Sequence, residues 1–433
     1  MKRTVAILGL FLMAATVNAQ VEPVAGGLLG RCDGLVLGLP SPSRGTVGVE
    51  VAGRTATAGY ALNLTDGRTG DELPVPALSD PQTEADTSSG TARWQTQGLA
   101  GELRMVARPD CLELSVTVEN PGPEQRWLTL TVALPVPLGE GWSAWDGANA
   151  TPAITEAVYS NGIGKVFPMA CAWDGERGLA LGLQPQMMVS DMSLGADPTS
   201  ESPLFVSVKL VVDAGATESA GLVVYPFTPR FGWRDALERY YRLYPEWFAP
   251  RAGTDPQLWG VGGYLRSGGS RLCREEARRF RFGWDWGYAP YRFTGDWYTH
   301  AQYYDGAYGD LDAWHEKMRA EDQAEGRAAV ALNYIIPQFV NADLAREHFP
   351  DTLPRDASGR VIVNEGSWVK QDETITGGWI WGTSMQELSL RSLTELAEKR
   401  GVEGISFDNA TGTGMRYGPG PENSPGRAFT AGG

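Results

Sequence analysis

At Phe231-Gly232-Trp233 the sequence changes its hydrophobic period. Before that point apolar residues recur at every second position; after it, short apolar runs alternate with stretches of three- and four-residue spacing. A period of two puts alternate side chains on opposite sides of a strand, whereas a period near 3.6 gathers them on one side of a helix. One architecture cannot satisfy both halves, so the chain reads as two differently built parts.

The first part, from about Gly27 to Tyr225, is a succession of strands separated by Gly, Pro and Asn-Gly turns. Leu112, Leu114, Val116 and Val118 alternate with Glu113, Ser115, Thr117 and Glu119, which gives a strand with one apolar and one polar face. Asn120-Pro121-Gly122-Pro123-Glu124 breaks it. Leu128, Leu130, Val132, Leu134 and Val136 then resume the alternation, as expected for the return arm of an antiparallel pair. Leu204 to Val212 repeats the pattern. Half-buried strands without helical spacing between them predict stacked antiparallel sheets, a β-sandwich.

In the second part, Trp233, Leu237, Tyr240, Tyr241 and Tyr244 recur at helical steps until Pro245 ends or kinks the run, which predicts a helix linking two domains. Strands are then expected at Leu258–Leu265, Ala289–Phe293, Ala328–Ile336 and Gly404–Phe407, with helices at Leu311–Ala324 and Ser384–Arg400. Such alternation predicts a parallel sheet wrapped by helices. A (β/α) barrel usually takes about 250 residues. The stretch from Pro256 to Gly433 supplies about four strands, so it reads as the first half of a barrel in a truncated product. The expected organisation is a signal peptide over 1–19, a sandwich over 20–228, a linker helix over 229–255 and a partial barrel over 256–433.

The leader rests on Lys2 and Arg3, the apolar run Val5–Ala15 and the small-residue site Val17-Asn18-Ala19. It predicts a secreted or periplasmic protein, and no run reaches the roughly 20 apolar residues of a membrane-spanning helix. With 37 basic against 52 acidic residues the formal charge is −15, which repels phosphate backbones, so no nucleic-acid partner is expected. Cys32, Cys111, Cys171 and Cys273 allow three pairings, and spacing selects none of them. His300, His315 and His348 are scattered, and no CxxC or HExxH motif occurs, so neither a metal nor a cofactor is expected.

Barrel chemistry gathers at the carboxyl ends of the strands. Those ends nominate Asp296 and Trp297 in Thr294-Gly295-Asp296-Trp297, Asn333 and Tyr334, and Asp408 and Asn409. Asp285, between Trp284 and Trp286, joins them as a candidate for hydrogen bonds to sugar hydroxyls. A carboxylate at Asp408 can attack an anomeric carbon while a second carboxylic acid protonates the leaving oxygen; the structural alternative is that it caps the next helix or binds backbone amides of the loop. Glu365 and Asp372 lie in a long segment after the third strand, of the kind that forms lids. The 15 Trp and 15 Tyr, with Trp284, Trp286, Tyr288, Tyr291, Trp297 and Tyr298 in one short span, offer flat surfaces for the CH faces of sugars.

The segments Ala236-Leu237-Glu238-Arg239-Tyr240-Tyr241, Tyr244-Pro245-Glu246-Trp247-Phe248 and Gly404-Ile405-Ser406-Phe407-Asp408-Asn409 resemble two-domain glycoside hydrolases. That resemblance implies an N-terminal β-supersandwich similar to galactose mutarotase, followed by a (β/α)8 catalytic barrel, as in the α-galactosidase and endo-α-N-acetylgalactosaminidase groups. By it, Asp408 matches the nucleophile and the general acid belongs to a later strand. The α-galactosidase pattern commonly has Lys two residues before the nucleophile, where this chain has Ser406, so a substrate-binding role for Asp408 stays open. The expected function is a retaining glycosidase acting on an oligo- or polysaccharide. Its rival is a non-catalytic carbohydrate-binding protein. A lyase using the sandwich is disfavoured because that part holds no histidine.

Overall fold

The computed structural model describes residues 19–249, apart from 25–26, 40–46, 59–61, 68, 74–76, 85, 163–165 and 188–190. Beyond 249 it describes 262–264, 282–284, 316–317, 319–320, 323–324, 328–329, 332–335, 339–353, 360–361, 375–377, 384–387, 390, 394, 398, 404–407, 414–416 and 429–431.

The described part up to Phe227 is a β-sandwich. Five strands, β1 (Gln20–Val24), β2 (Gly27–Cys32), β3 (Leu35–Leu39), β4 (Val47–Val51) and β5 (Arg54–Ala58), form an antiparallel meander. The strands that follow are β6 (Leu62–Asp66), β7 (Ala77–Thr83), β8 (Ser89–Thr96), β9 (Leu99–Ala107), β10 (Leu112–Glu119), β11 (Arg126–Leu134) and β12 (Ser143–Trp145). After them come β13 (Ala150–Thr151), β14 (Val158–Asn161), β15 (Met169–Trp173), β16 (Gly178–Leu183), β17 (Met192–Ala196), β18 (Leu204–Val212) and β19 (Thr217–Phe227). They make a nine-stranded sheet, β13-β12-β15-β16-β19-β10-β9-β8-β7, and a five-stranded sheet, β14-β17-β18-β11-β6.

Leu112, Leu114, Val116 and Val118 are buried as their alternation requires, and so are Leu128, Leu130, Val132 and Leu134. These two strands are not, however, the arms of one hairpin. β10 pairs with β9 and β19, whereas β11 pairs with β18 and β6. The two apolar faces share one core across the sandwich, and the Pro-Gly-Pro segment carries the chain from sheet to sheet. Alternation reports a half-buried strand without saying whether its successor lies beside it or opposite it, which is why sequence alone favoured the hairpin.

Asn120, buried within this crossing, clamps it. Its Nδ2 donates to the carbonyls of Glu124 (2.6 Å), Val212 (3.0 Å) and Asp213 (3.1 Å), and its Oδ1 accepts from the amide of Gly122 at 3.2 Å.

The expected helix is present as α1 (Trp233–Leu243) and a single turn α2 (Pro245–Phe248), divided just before Pro245. It lies on the outside of the nine-stranded sheet, with Ala236, Tyr240 and Tyr244 buried in a cluster with Cys111, Met169, Cys171 and Tyr225. Two phenols fasten it: Tyr225 donates to the carbonyl of Ala236 at 2.9 Å, and Tyr240 to that of Leu183 at 2.6 Å. Trp233 stacks on Trp145 with ring centroids 4.7 Å apart.

Beyond this point, strands of another kind are described: β20 (Gly262–Tyr264), β21 (Phe282–Trp284), β22 (Ala328–Ala329), β23 (Leu332–Ile335) and β26 (Gly404–Phe407). β20, β21 and β22 are parallel neighbours, and so are β23 and β26. The long segment between the third expected strand and the helix expected at Ser384–Arg400 contains β24 (Phe339–Asn341), α3 (Ala342–His348) and β25 (Ile375–Gly377), with β24 and β25 antiparallel. After Asn409, where no further strand was expected, β27 (Gly414–Arg416) and β28 (Phe429–Ala431) form an antiparallel pair.

Candidate functional site

The frame for the predicted site is the backbone of the parallel strands. β23 and β26 run in register from Leu332↔Gly404 through Asn333↔Ile405 and Tyr334↔Ser406 to Ile335↔Phe407. Asn333 and Tyr334 therefore stand on the strand next to the one that ends a single residue before Asp408. They occupy alternate rows, Asn333 with Ile405 and Tyr334 with Ser406. Asp408 and Asn409 themselves lie outside the described residues, as do Asp285, Asp296 and Trp297. Glu365, Asp372, His300, His315 and Cys273 lie outside them as well.

One strand of this frame was missed by the sequence reading. β21 ends at Trp284, so Asp285 is the residue that leaves a parallel strand. The signal was short, Phe282-Gly283-Trp284, with a glycine in the middle that lowers the strand reading. The strand expected at Ala289–Phe293 is outside the described residues. β21 and β26 are described in separate sheets: Gly283 is level with Ala329 in one, and Phe407 with Ile335 in the other.

Within the sandwich part, a cavity of about 370 Å³ opens beside α1, lined by Asp110, Thr228, Arg230, Asp235, Glu238 and Arg239 among others. Its charges are largely mutual. Arg239 donates to the Asp110 carbonyl at 3.1 Å and to its carboxylate at 3.3 Å, and Arg242 pairs with Glu238 one turn earlier. None of the predicted site residues lines it. Among the described residues no group of three or more His, Cys, Asp and Glu is arranged to hold a metal.

Among the described residues the strongest pKa displacements belong to core packing. Burial pushes the thiols of Cys32 and Cys111 up to about 12, with Arg239 opposing the rise at Cys32 and Glu113 adding to it at Cys111. Burial likewise raises Cys171 and the phenols of Tyr225 and Tyr240. These are groups held neutral by an apolar surrounding. Cys171, Ala180 and Tyr225 are successive register partners, and Cys111 lies on the next strand beside Leu112↔Val224. Three strand spacings, about 14 Å, thus separate Cys111 from Cys171, too far for a disulfide.

No family model and no curated protein matches the chain. Solved structures do resemble it. An α-galactosidase from Lactobacillus brevis superposes with a TM-score of 0.50 at 10% identity, covering 89% of this chain and 64% of its own. The galactosidase domain of an α-galactosidase–sucrose kinase superposes at 0.51 and 10% identity, covering 90% and 66% respectively. A galactose mutarotase-like protein from Lactobacillus casei aligns with 46% of the chain at a TM-score of 0.33, too low to bear on the fold. At 10% identity the likeness to the two galactosidase chains is one of fold alone, and this chain spans slightly less than two thirds of either.

Proposed function

We propose that the chain is an exported glycoside hydrolase of the retaining type, with a sandwich followed by a (β/α) barrel and Asp408 as its nucleophile. The observation that carries this reading is the parallel pairing of β23 with β26, which sets Asn333 and Tyr334 on the strand beside the one leading directly into Asp408. A carboxylate at that point would attack the anomeric carbon as the glycosidic bond breaks. An acid would protonate the departing oxygen, and water would then release the glycosyl group from the carboxylate. Asn333, Tyr334, Asn409, Asp296 and Trp297 are assigned to sugar hydroxyls and to stacking. Asp285, the residue that follows β21, is assigned to a sugar hydroxyl as well. The fold likeness to α-galactosidases directs the first substrates to α-galactosides. The leader at 1–19 assigns the activity to the periplasm or the exterior.

The test is hydrolysis of a panel of aryl glycosides, α-galactosides first. Wild-type turnover that falls at least about a thousandfold in Asp408→Asn, with sugar binding retained, supports the assignment. Turnover surviving the substitution removes Asp408 from the nucleophile role. Binding without any cleavage by the wild type identifies the rival, a carbohydrate-binding protein.

A further inference from the structure

The outward face of the five-stranded sheet carries two adjoining rows of different chemistry. Register places Asn63 opposite Thr131, Thr131 opposite Ser207, Ser207 opposite Ser193, and Ser193 opposite Asn161. One amide or hydroxyl residue thus comes from each of the five strands. At about 4.8 Å between strands the row is about 19 Å long. Two residues along, the next row reads Ala133, Phe205, Gly195 and Tyr159. The inward-facing neighbours Leu64, Val132, Val206 and Leu194 are buried in the core, so both rows belong to the solvent side.

Neither row contains a carboxylate or an ammonium group, in a chain of formal charge −15. Thr131 Oγ1 and Ser207 Oγ lie 2.7 Å apart. Each hydroxyl has one donor and two acceptor sites, so the pair keeps capacity for a third partner. Tyr159 is 57% exposed, the largest exposure of any described aromatic residue except Phe231. Gly195 leaves no side chain between the Phe205 and Tyr159 positions, and a Cβ there would meet Val158 O at 2.1 Å. A strip of uncharged hydrogen-bonding groups beside an aromatic strip matches a pyranose, which offers hydroxyls at its edge and CH groups on its face. On the other side of the hydroxyl row Lys209 is paired with Asp191 at 2.5 Å, which leaves an anionic polymer little free positive charge on this face.

We propose that this face is a binding surface for an uncharged polysaccharide chain, laid across the strands with its hydroxyls on the Asn63–Asn161 row and a ring face on Tyr159. The idea rests on the carbohydrate-active reading above, but on residues that take no part in the proposed chemistry.

Native gel retardation of the whole chain tests it, with galactomannan, β-glucan or starch in the gel and polygalacturonate as the charged comparison. The expected result is retardation by at least one uncharged polymer and little by polygalacturonate. Tyr159→Ala and Ser207→Glu should each weaken retardation about five- to tenfold while unfolding temperature and aryl-glycoside turnover stay unchanged. No retardation by any uncharged polymer, retardation indifferent to both substitutions, or equal retardation by polygalacturonate overturns the proposal. Retardation lost in Tyr159→Ala yet kept in Asp408→Asn supports this surface whether or not the catalytic reading survives.

Discussion

Asn120 supports more structure than its size indicates. Its amide nitrogen serves three carbonyls on both sides of the sheet-to-sheet crossing, and its backbone donates to Ala216 O at 3.0 Å while accepting from Gly215 N at 2.8 Å. Truncation leaves several carbonyls in a buried place without a donor, a loss that mutational series put at about 1–3 kcal/mol. Asn120→Ala is expected to lower the unfolding free energy by about 2 kcal/mol. Asn120→Asp should cost more, because a carboxylate donates nothing and faces three carbonyl oxygens. Urea unfolding of both variants checks this, and equal midpoints for wild type and Asn120→Asp would refute the clamp. The cysteines give a second expectation at this scale. With Cys32 and Cys111 pushed to about 12 and Cys171 raised as well by burial, almost no thiolate exists at neutral pH. Maleimide should leave these three unmodified in the native chain and modify them on unfolding; mass spectrometry of modified peptides reads the difference.

Among the elements, the β15–β16 hairpin shows how one carboxylate fixes a turn. Asp174 Oδ1 accepts from the amides of Glu176 (2.8 Å) and Arg177 (2.9 Å), and Oδ2 from that of Gly139 (3.0 Å). Burial alone would raise its pKa, but these three amides and the Arg177 charge outweigh it, and the carboxyl is held below its ordinary value. A depressed pKa stabilises the fold above the unfolded value, about 3.9, and that contribution is lost as pH falls through the lower folded value. The acid limb of the stability profile, between about pH 5 and pH 2, should therefore be shallower in Asp174→Asn than in wild type. Thermal melts across that range check it; parallel limbs would sink the assignment. The strands at Leu112–Glu119, Leu204–Val212 and Gly404–Phe407 and the helix broken before Pro245 were legible, because each is a run long or regular enough for its period to stand out. The partner of Leu112–Glu119 was not, since opposite strands of a sandwich carry the same alternation as adjacent ones. Nor was Phe282–Trp284, three residues with a central glycine, which offers no period at all. At the candidate site the strand before Asp408 and the positions of Asn333 and Tyr334 were readable. The parallel pairing of β21 with β20 and β22 depends on contacts between strands and leaves no trace in β21's own three residues.

At the level of the molecule, the two main core clusters draw their described residues only from the span between Val21 and Tyr244. The second of them needs α1: Ala236, Tyr240 and Tyr244 cover Cys111, Met169, Cys171 and Tyr225, and the phenols of Tyr225 and Tyr240 reach across the interface. A boundary drawn at 228 separates that sheet face from its cover and leaves an apolar patch of the kind that promotes association. A boundary after Phe248 keeps it. A fragment of residues 20–249 is therefore expected to be monomeric and to unfold in one cooperative transition, whereas residues 20–228 should melt at a lower temperature or aggregate. Within the longer fragment, Tyr240→Phe, which strands the carbonyl of Leu183 without altering packing volume, should cost about 1 kcal/mol. Calorimetry and light scattering on the two fragments decide the matter. If residues 20–228 proved as stable and as soluble as 20–249, α1 would be a connecting segment, as its position between two differently patterned halves first indicated, rather than the last layer of the sandwich core.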